Sequence, residues 1–406
     1  MKISLIQPSR NNLKYLKWSY DSIRKNQGNH TVEICVADDD SSDGTWEWCQ
    51  ERMSNDKHFK AIRNESGKRL GHTILYDRLI NEVATHDMCM IYHADMYLCP
   101  GALDAIQEEM YITVDNGDNG KRIRQDKIIT SLTRIEPPLH PDGPEKVLRD
   151  FGVEPEEFNE EELLKFISEP KWGQGETTEG IFAPWAFWKS DFQEIGGHDP
   201  LYAPQSKEDS DIFNRFQLNG ITFKQTWDGY VYHMTCRGSR RNTVDKAKNI
   251  YEDSPEWLAQ NMRSTRNFIR KWGHFVKHDE YMKPIIPHKY CTMFRVDNCT
   301  SEILHALEPW CDKIAVDINF SEYINTEQVN TSYDLAKRVT VHNFPNTKGG
   351  IEVLINGRKF TQQDFQIIQQ LSEILADSGE VGQFAIGNLS IIVHDLKTYE
   401  KDLICV

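Results

Sequence analysis

The stretch TVEICVADDDSSDGT, residues 31–45, sets an apolar, β-branched run against three consecutive aspartates and then a turn-and-cap sequence. That cap opens a helical pattern from Thr45 to Met53. A strand that breaks into a polar tip before a helix is the repeating unit of an α/β sheet, and here it recurs. KISLIQ (2–7) precedes a helical pattern from Leu13 to Lys25, FKAIR (59–63) one from His72 to Val83, and MCMIYH (88–93) one from Ala102 to Met110. The repetition predicts a Rossmann-like, mostly parallel sheet with helices on both faces. Ligands of such sheets bind beyond the carboxyl ends of the strands. The informative residues are therefore Pro8-Ser9-Arg10-Asn11, the run from Asp38 to Thr45, Asn64 with Gly67-Lys68-Arg69, and His93-Ala94-Asp95, four polar clusters on one rim.

The composition narrows the function classes. The chain has 406 residues, 27% charged and 39% hydrophobic, and no apolar run approaches the roughly 20 residues of a membrane-spanning helix. A formal net charge of −15 argues against broad phosphate-backbone binding, so no stable nucleic-acid partner is expected. Nine cysteines lie scattered without a Cys-x-x-Cys pair, so neither disulfides nor a structural zinc is expected. The opening MKISLIQPSRNN lacks the longer apolar region of a secretory signal, and the expected compartment is the cytoplasm. Self-association as a homo-oligomer is left open.

Three adjacent aspartates also suit a solvated acidic turn, and His93 and Asp95 also suit a plain strand end. The pattern VADDDSSDGT, however, resembles the VVDDGSTDGT pattern of family 2 glycosyltransferases with the A-type fold, and other motifs follow in that family's order. QPSRNNLKYLKWSYDSI looks like the first strand end and helix, GHTILYDRLI like the glycine-led helix after the third strand, and YHADM like the strand end that usually carries Asp-x-Asp. FAPWAFWKSDFQEIGGHDPLY is similar to the segment ending in Gly-Gly-Phe-Asp, SKEDSDIFNRFQLNGITF to the Glu-Asp-x-Asp helix, and VYHMTCRGS to the strand that closes the site with a histidine.

The resemblance implies an inverting transferase that uses a nucleoside-diphosphate sugar and a divalent cation, Mn²⁺ or Mg²⁺. It puts the metal on Asp95 and His233. His93 departs from Asp-x-Asp; it could reach the ribose or a metal-bound water, and an imidazole there favours Mn²⁺. Pro8, Ser9, Arg10, Asp38 and Asp39 are expected around the base and ribose, with an aspartate suiting the imide proton of uracil. Arg69 and Arg237 are expected near the diphosphate, Ala94 among the nucleotide-sugar-binding residues, and Trp185 and Gly197 at the sugar and acceptor pocket. Asp209 is the expected base and Glu208 its partner toward acceptor or sugar hydroxyls.

The expected organisation is a catalytic domain over 1–245 with an insertion at about 111–180 on the acceptor side, a helical bridge and linker over 246–289, and a smaller C-terminal α/β domain over 290–406. In the last, LINGRKF and FAIGNLSIIV carry hairpin signals, and TQQDFQIIQQLSEILADSG reads as one capped helix ending at Gly379. Two other readings compete. A nucleotidyltransferase needs a glycine-rich loop after the first strand, where this chain has QPSRNN. A catalytically inactive nucleotide-sugar or glycan-binding protein on the same fold remains compatible with His93.

Overall fold

The computed structural model describes residues 1–114, 121–171, 173–235, 241–245, 250–341 and 350–406. The first unit runs β1 (Lys2–Ser9), α1 (Leu13–Asn26), β2 (Thr31–Asp38), α2 (Thr45–Asn55), β3 (Phe59–Arg63), α3 (Gly71–Arg78), β4 (Met88–Ile91), β5 (Met96–Leu98) and α4 (Ala102–Met110). It continues with a hairpin of β6 (Tyr111–Val114) and β7 (Lys121–Arg124), then β8 (Ile128–Glu136), β9 (Lys146–Leu148), α5 (Glu160–Ser168), β10 (Thr177–Thr178), β11 (Trp185–Trp188), α6 (Lys189–Glu194), α7 (Glu208–Leu218) and β12 (Thr222–His233).

The main sheet has the order β10-β12-β8-β11-β4-β1-β2-β3, with β5 added to β12 and β9 to β8. Pairing is parallel from β3 through β4 and between β8 and β12, while β11 runs antiparallel between β4 and β8. Apart from Lys2 and Thr31, every residue of β1 and β2 is buried, as befits strands covered on both faces. The strand ends are tied together by their loops. Asp43 accepts hydrogen bonds from the backbone N–H of Leu13, at the start of α1, and from that of Thr45, at the start of α2. Ser41 accepts from the N–H of Asn11, and Asn11 from that of Ser42.

The span 111–180 is not one insertion over the sheet. All nine residues of β8 are buried and the strand sits between β12 and β11, so this stretch belongs to the core. Its mixed sequence, IITSLTRIE, hides the strand because most of its polar residues are paired inside: Thr133 donates to the carbonyl of Thr226, and Arg134 pairs with Glu136.

Beyond a short β13 (Arg241–Asp245) and β14 (Ile250–Asp253) pair, α8 (Pro255–Trp272) leads to the second unit. This comprises β15 (Thr292–Asp297), α9 (Ser301–Leu307), β16 (Lys313–Val316), α10 (Ser321–Glu327), α11 (Leu335–Arg338), β17 (Val339–Val341), β18 (Ile351–Asn356), α12 (Gln362–Ser378), β19 (Gly382–Ile386) and β20 (Leu389–Val393). Its sheet order is β17-β16-β15-β18-β20-β19, parallel from β17 through β18, with β20 antiparallel to both β18 and β19. FAIGNLSIIV forms that hairpin. LINGRKF does not form one: its turn leads into α12, where Thr361 and Asp364 make a reciprocal cap, and Gly379 ends the helix at φ 62°.

Helix α8 joins the units with two adjacent cations. Arg270 is buried against Glu308 (2.8 Å) and Glu327 (2.5 Å) of the second unit, and Lys271 pairs with Asp211 (2.8 Å) and Asp199 (2.6 Å) of the first. Among the described residues no helix is long and apolar enough to cross a membrane.

Candidate active site

The end of β4 and the end of β12 meet through β5. His233 pairs with Met96 in the β5–β12 register, and the N–H of Met234 donates to the carbonyl of Asp95 at 3.0 Å. This brings His93, Asp95 and His233 together, with one potential ligand atom from each lying within 4.8 Å of the others. The rings of His93 and His233 are 5.8 Å apart, and His233 Nε2 lies 3.5 Å from Asp95 Oδ1.

Electrostatics single out His233. Burial works against its charge, but Asp95 and Glu136 outweigh burial and raise its pKa to about 9. Burial would raise Asp95, yet His233 pulls it down to about 2. His93 goes the other way, lowered to about 3 by burial, and is a neutral donor. The set fits a divalent cation. A carboxylate and two imidazoles converge, and Glu136, 2.8 Å from His233 Nδ1, orients that ring as outer carboxylates do in metal sites. The proton that His233 holds between two carboxylates occupies the electrostatic niche a cation would fill.

The aspartates of 38–40 do not form a repelling array. Asp38 is fully buried, accepts from the N–H of Ser41 (3.1 Å) and lies 3.3 Å from Arg63 Nε, whereas Asp40 is exposed. Asp39 accepts from Asn64 Nδ2 (2.7 Å) and from the N–H groups of Leu70 (3.0 Å) and Gly71 (2.9 Å), which fixes the start of α3. Gly71 has φ 77°, and a Cβ there would stand 2.0 Å from the carbonyl oxygen of Pro204. That contact presses the first half of the rim against the loop leading to α7. Across the same junction Arg69 donates to Gln205 Oε1 at 2.5 Å, and its charge meets those of Arg10, Asp39 and Glu208. Pro8 and Ser9 end β1, opposite Ala37 and Asp38, and the Ser9 hydroxyl is buried with no partner among the described residues. Ala94 is buried between His93 and Asp95.

Glu208 and Asp209 open α7 after two residues, Ser206 and Lys207, with positive φ. Burial raises the pKa of both, the Asp209 charge adds to the shift at Glu208, and Glu208 Oε2 has no partner among the described residues. Asp211 is different. It is fully buried and bound by Arg215 Nε (2.7 Å), Lys271 Nζ (2.8 Å) and Trp272 Nε1 (2.9 Å), so its role is structural. One side chain links the two clusters: the buried hydroxyl of Tyr76 on α3 feels Asp209, Glu208 and Asp95 together.

Two expected residues serve packing instead. Trp185 does not line a sugar pocket. It is fully buried in the main core, packed on Phe187, Phe213 and Phe216, because the central position of β11 turns it inward. Gly197 is a packing glycine, since a Cβ would come within 2.2 Å of Asp77 Oδ2. Arg237 lies outside the described residues. The structure adds Glu136, which no motif marks, and His72, Tyr76 and His198, which lie within GHTILYDRLI and GGHDPLY without being singled out there. A cavity of about 680 Å³, lined by Asp142, Lys146, Phe166, Trp227 and Tyr230 among others, adjoins the cluster, for Lys146 lies 3.4 Å from Glu136.

A Rossmann-like sheet with a carboxylate and imidazole cluster at its strand ends, and a carboxylate pair at the start of the facing helix, defines the class of A-type-fold glycosyltransferases. Within it the family is glycosyl transferase family 2, whose model matches residues 4–196. That part of the chain is a family 2 glycosyltransferase domain. Solved structures with a similar fold include GalNAc-T7 with UDP, GalNAc and Mn²⁺ (16% identity, TM-score 0.44, covering 69% of this chain and 49% of that one). They also include the mannosyltransferase PcManGT of Pyrobaculum calidifontis with GDP-Man and Mn²⁺ (14%, 0.39, 66% and 61%) and residues 1–349 of S. aureus TarS (16%, 0.38, 67% and 74%). The chain thus spans about half the length of the GalNAc-T7 chain. No curated protein sequence matches it.

Proposed function

We propose that the protein transfers a sugar from a nucleoside-diphosphate sugar, by preference a UDP-sugar, to an acceptor hydroxyl with inversion at the anomeric carbon. The observation that carries this reading is the cluster of His93, Asp95 and His233 at the strand ends, with the charges of Asp95, Glu208 and Asp209 all acting on the buried hydroxyl of Tyr76.

Asp95 and His233, with His93 beside them, would hold Mn²⁺ or Mg²⁺, which when bound offsets the charge of a departing diphosphate. Arg69 and Arg10 add cationic charge on the nucleotide side of the same rim. Pro8 and the buried hydroxyl of Ser9 floor the base pocket. Asp39 already accepts three hydrogen bonds, and since a carboxylate offers about four acceptor sites, one remains for an imide N–H. Asp209 takes the proton of the acceptor hydroxyl, and the pKa that burial raises makes it a stronger base than a solvated carboxylate. Glu208, with one oxygen unpaired, binds a sugar or acceptor hydroxyl. The aromatic cavity beside Lys146 is the acceptor's approach.

The test is donor hydrolysis and transfer with Mn²⁺, with Mg²⁺ and with chelator, across a panel of nucleotide sugars. Cation-dependent release of nucleoside diphosphate supports the proposal. Donor binding with no turnover for any donor would assign the chain to the binding class instead.

A further inference from the structure

Two adjacent residues take positive φ just before the carboxylate pair, Ser206 at 80° and Lys207 at 72°. Among the described residues no other adjacent pair of non-glycine residues does so, and the adjacent pair at 196 and 197 is glycine at both positions. A side chain strains such a backbone, and a turn wanted for its shape alone forms with glycine free of that strain. Here both side chains end on one atom. Ser206 Oγ donates to Asn261 Oδ1 at 2.8 Å, and Lys207 Nζ donates to the same oxygen at 3.1 Å. An ammonium only donates, so the Asn261 atom that faces it is the amide oxygen, and the two donors engage both of its lone pairs.

Asn261 belongs to a face of α8 that grips the segment entering α7. Arg263 donates to the carbonyl of Ala203 (3.1 Å), and Gln260 Nε2 and Ser264 Oγ donate to that of Gln205 (3.0 and 3.3 Å). From the nucleotide side of the rim, Arg69 holds the Gln205 side chain. The grip fixes the start of α7. The carbonyl of Lys207 accepts from the N–H of Asp211 at 2.9 Å, which is the first bond of the helix, and Glu208 and Asp209 are its first two residues. A rotation at Ser206 or Lys207 moves the backbone that carries both carboxylates.

We propose that Asn261 is a positioning residue for the reaction: by tethering Ser206 and Lys207 in the left-handed region, it sets the aim of Glu208 and Asp209 at the acceptor. This rests on the reading of Asp209 as base. The tether acts on turnover and leaves donor binding alone.

The test reads kcat and donor Kd with Mn²⁺, well below each variant's melting temperature, so that lost stability does not count as lost turnover. Asn261→Leu keeps the bulk of the side chain without the acceptor; kcat should fall about 10-fold or more at unchanged donor Kd. Asn261→Asp leaves an oxygen where both donors end and should retain most of kcat. Replacing Ser206→Gly and Lys207→Gly together removes both donors, so kcat should fall by a similar factor, and adding Asn261→Leu should cost nothing further. Asn261→Asp as slow as Asn261→Leu would overturn the proposal, as would losses that multiply when Asn261→Leu and the glycine pair are combined. Asn261→Leu at the wild-type rate beside an inactive Asp209→Asn would overturn it while sparing the base. Should Asn261→Leu fail to fold, the glycine pair decides alone, and wild-type kcat there overturns the tether. An active Asp209→Asn would instead refute the base on which it rests.

Discussion

One nitrogen of His233 lies 2.8 Å from Glu136 and the other 3.5 Å from Asp95, so a single imidazole bridges two carboxylates brought in by different strands. Glu136 therefore acts on the cation cluster without belonging to it. Glu136→Gln keeps the hydrogen bond to Nδ1 but removes the charge that orients and polarises the ring. Mn²⁺ affinity should drop about 10- to 100-fold by calorimetry, with the circular dichroism spectrum unchanged. Unaltered affinity would place Glu136 in a purely structural network with Arg134 and Lys146.

Asp95→Ala should abolish cation-dependent donor binding and leave a folded protein, because the carboxylate sits at a strand end outside the apolar core. Calorimetric titration of donor with and without Mn²⁺ reads this directly. Restoring the commoner pattern with His93→Asp should shift the activity ratio toward Mg²⁺, since a second hard oxygen replaces an imidazole.

Asp209→Asn preserves volume and most hydrogen bonding at the start of α7. Turnover should fall about 10²- to 10⁴-fold with donor Kd nearly constant. Glu208→Gln should raise KM for the acceptor or sugar more than it lowers kcat. The inverting reading would fail if both variants stayed fully active.

The pH dependence of the chelated protein follows from the same cluster. His233 rises from 6.5 to about 9, with Asp95 and Glu136 overcoming burial, so its stabilisation is complete below about pH 6.5 and is lost as pH climbs through about 9. Asp95 falls from 3.8 to about 2, with His233 overcoming burial, so its stabilisation is complete above about pH 3.8 and is lost as pH drops through about 2. Glu208, raised by burial and by Asp209, acts in the same direction as His233. The metal-free fold should therefore weaken between about pH 6.5 and 9. Saturating Mn²⁺ should flatten that slope, because a metal binds the neutral imidazole. Urea unfolding across this range, with chelator and with Mn²⁺, measures both curves.

Strand-end chemistry was legible in the sequence wherever a motif held its parts close together. VADDDSSDGT announced β2, its turn and α2, and YHADM announced the end of β4 with Asp95. The residues that escaped are those whose partners lie far along the chain. Glu136 sits in IITSLTRIE, a strand whose Thr133 and Glu136 find partners on β12 nearly a hundred positions later, so no local alternation betrays it. Asp77 and His198 are 121 residues apart, and neither is unusual alone. Trp185 was misplaced because an aromatic near a motif fits a sugar platform and a core equally well; strand order decides between them, and strand order is not a local property.

The two adjacent cations of α8 bear on how the protein is made. A nascent chain that has reached Trp272 already holds Asp199 and Asp211 for Lys271, whereas the carboxylate partners of Arg270 are 38 and 57 residues further on, still unsynthesised. Seating Arg270 in its final place would then strand a buried charge, at a cost of about 3–5 kcal/mol. Helix α8 should accordingly remain loosely held on the emerging polypeptide until Glu308 and Glu327 leave the ribosome, which makes translation of the second unit the event that completes the first.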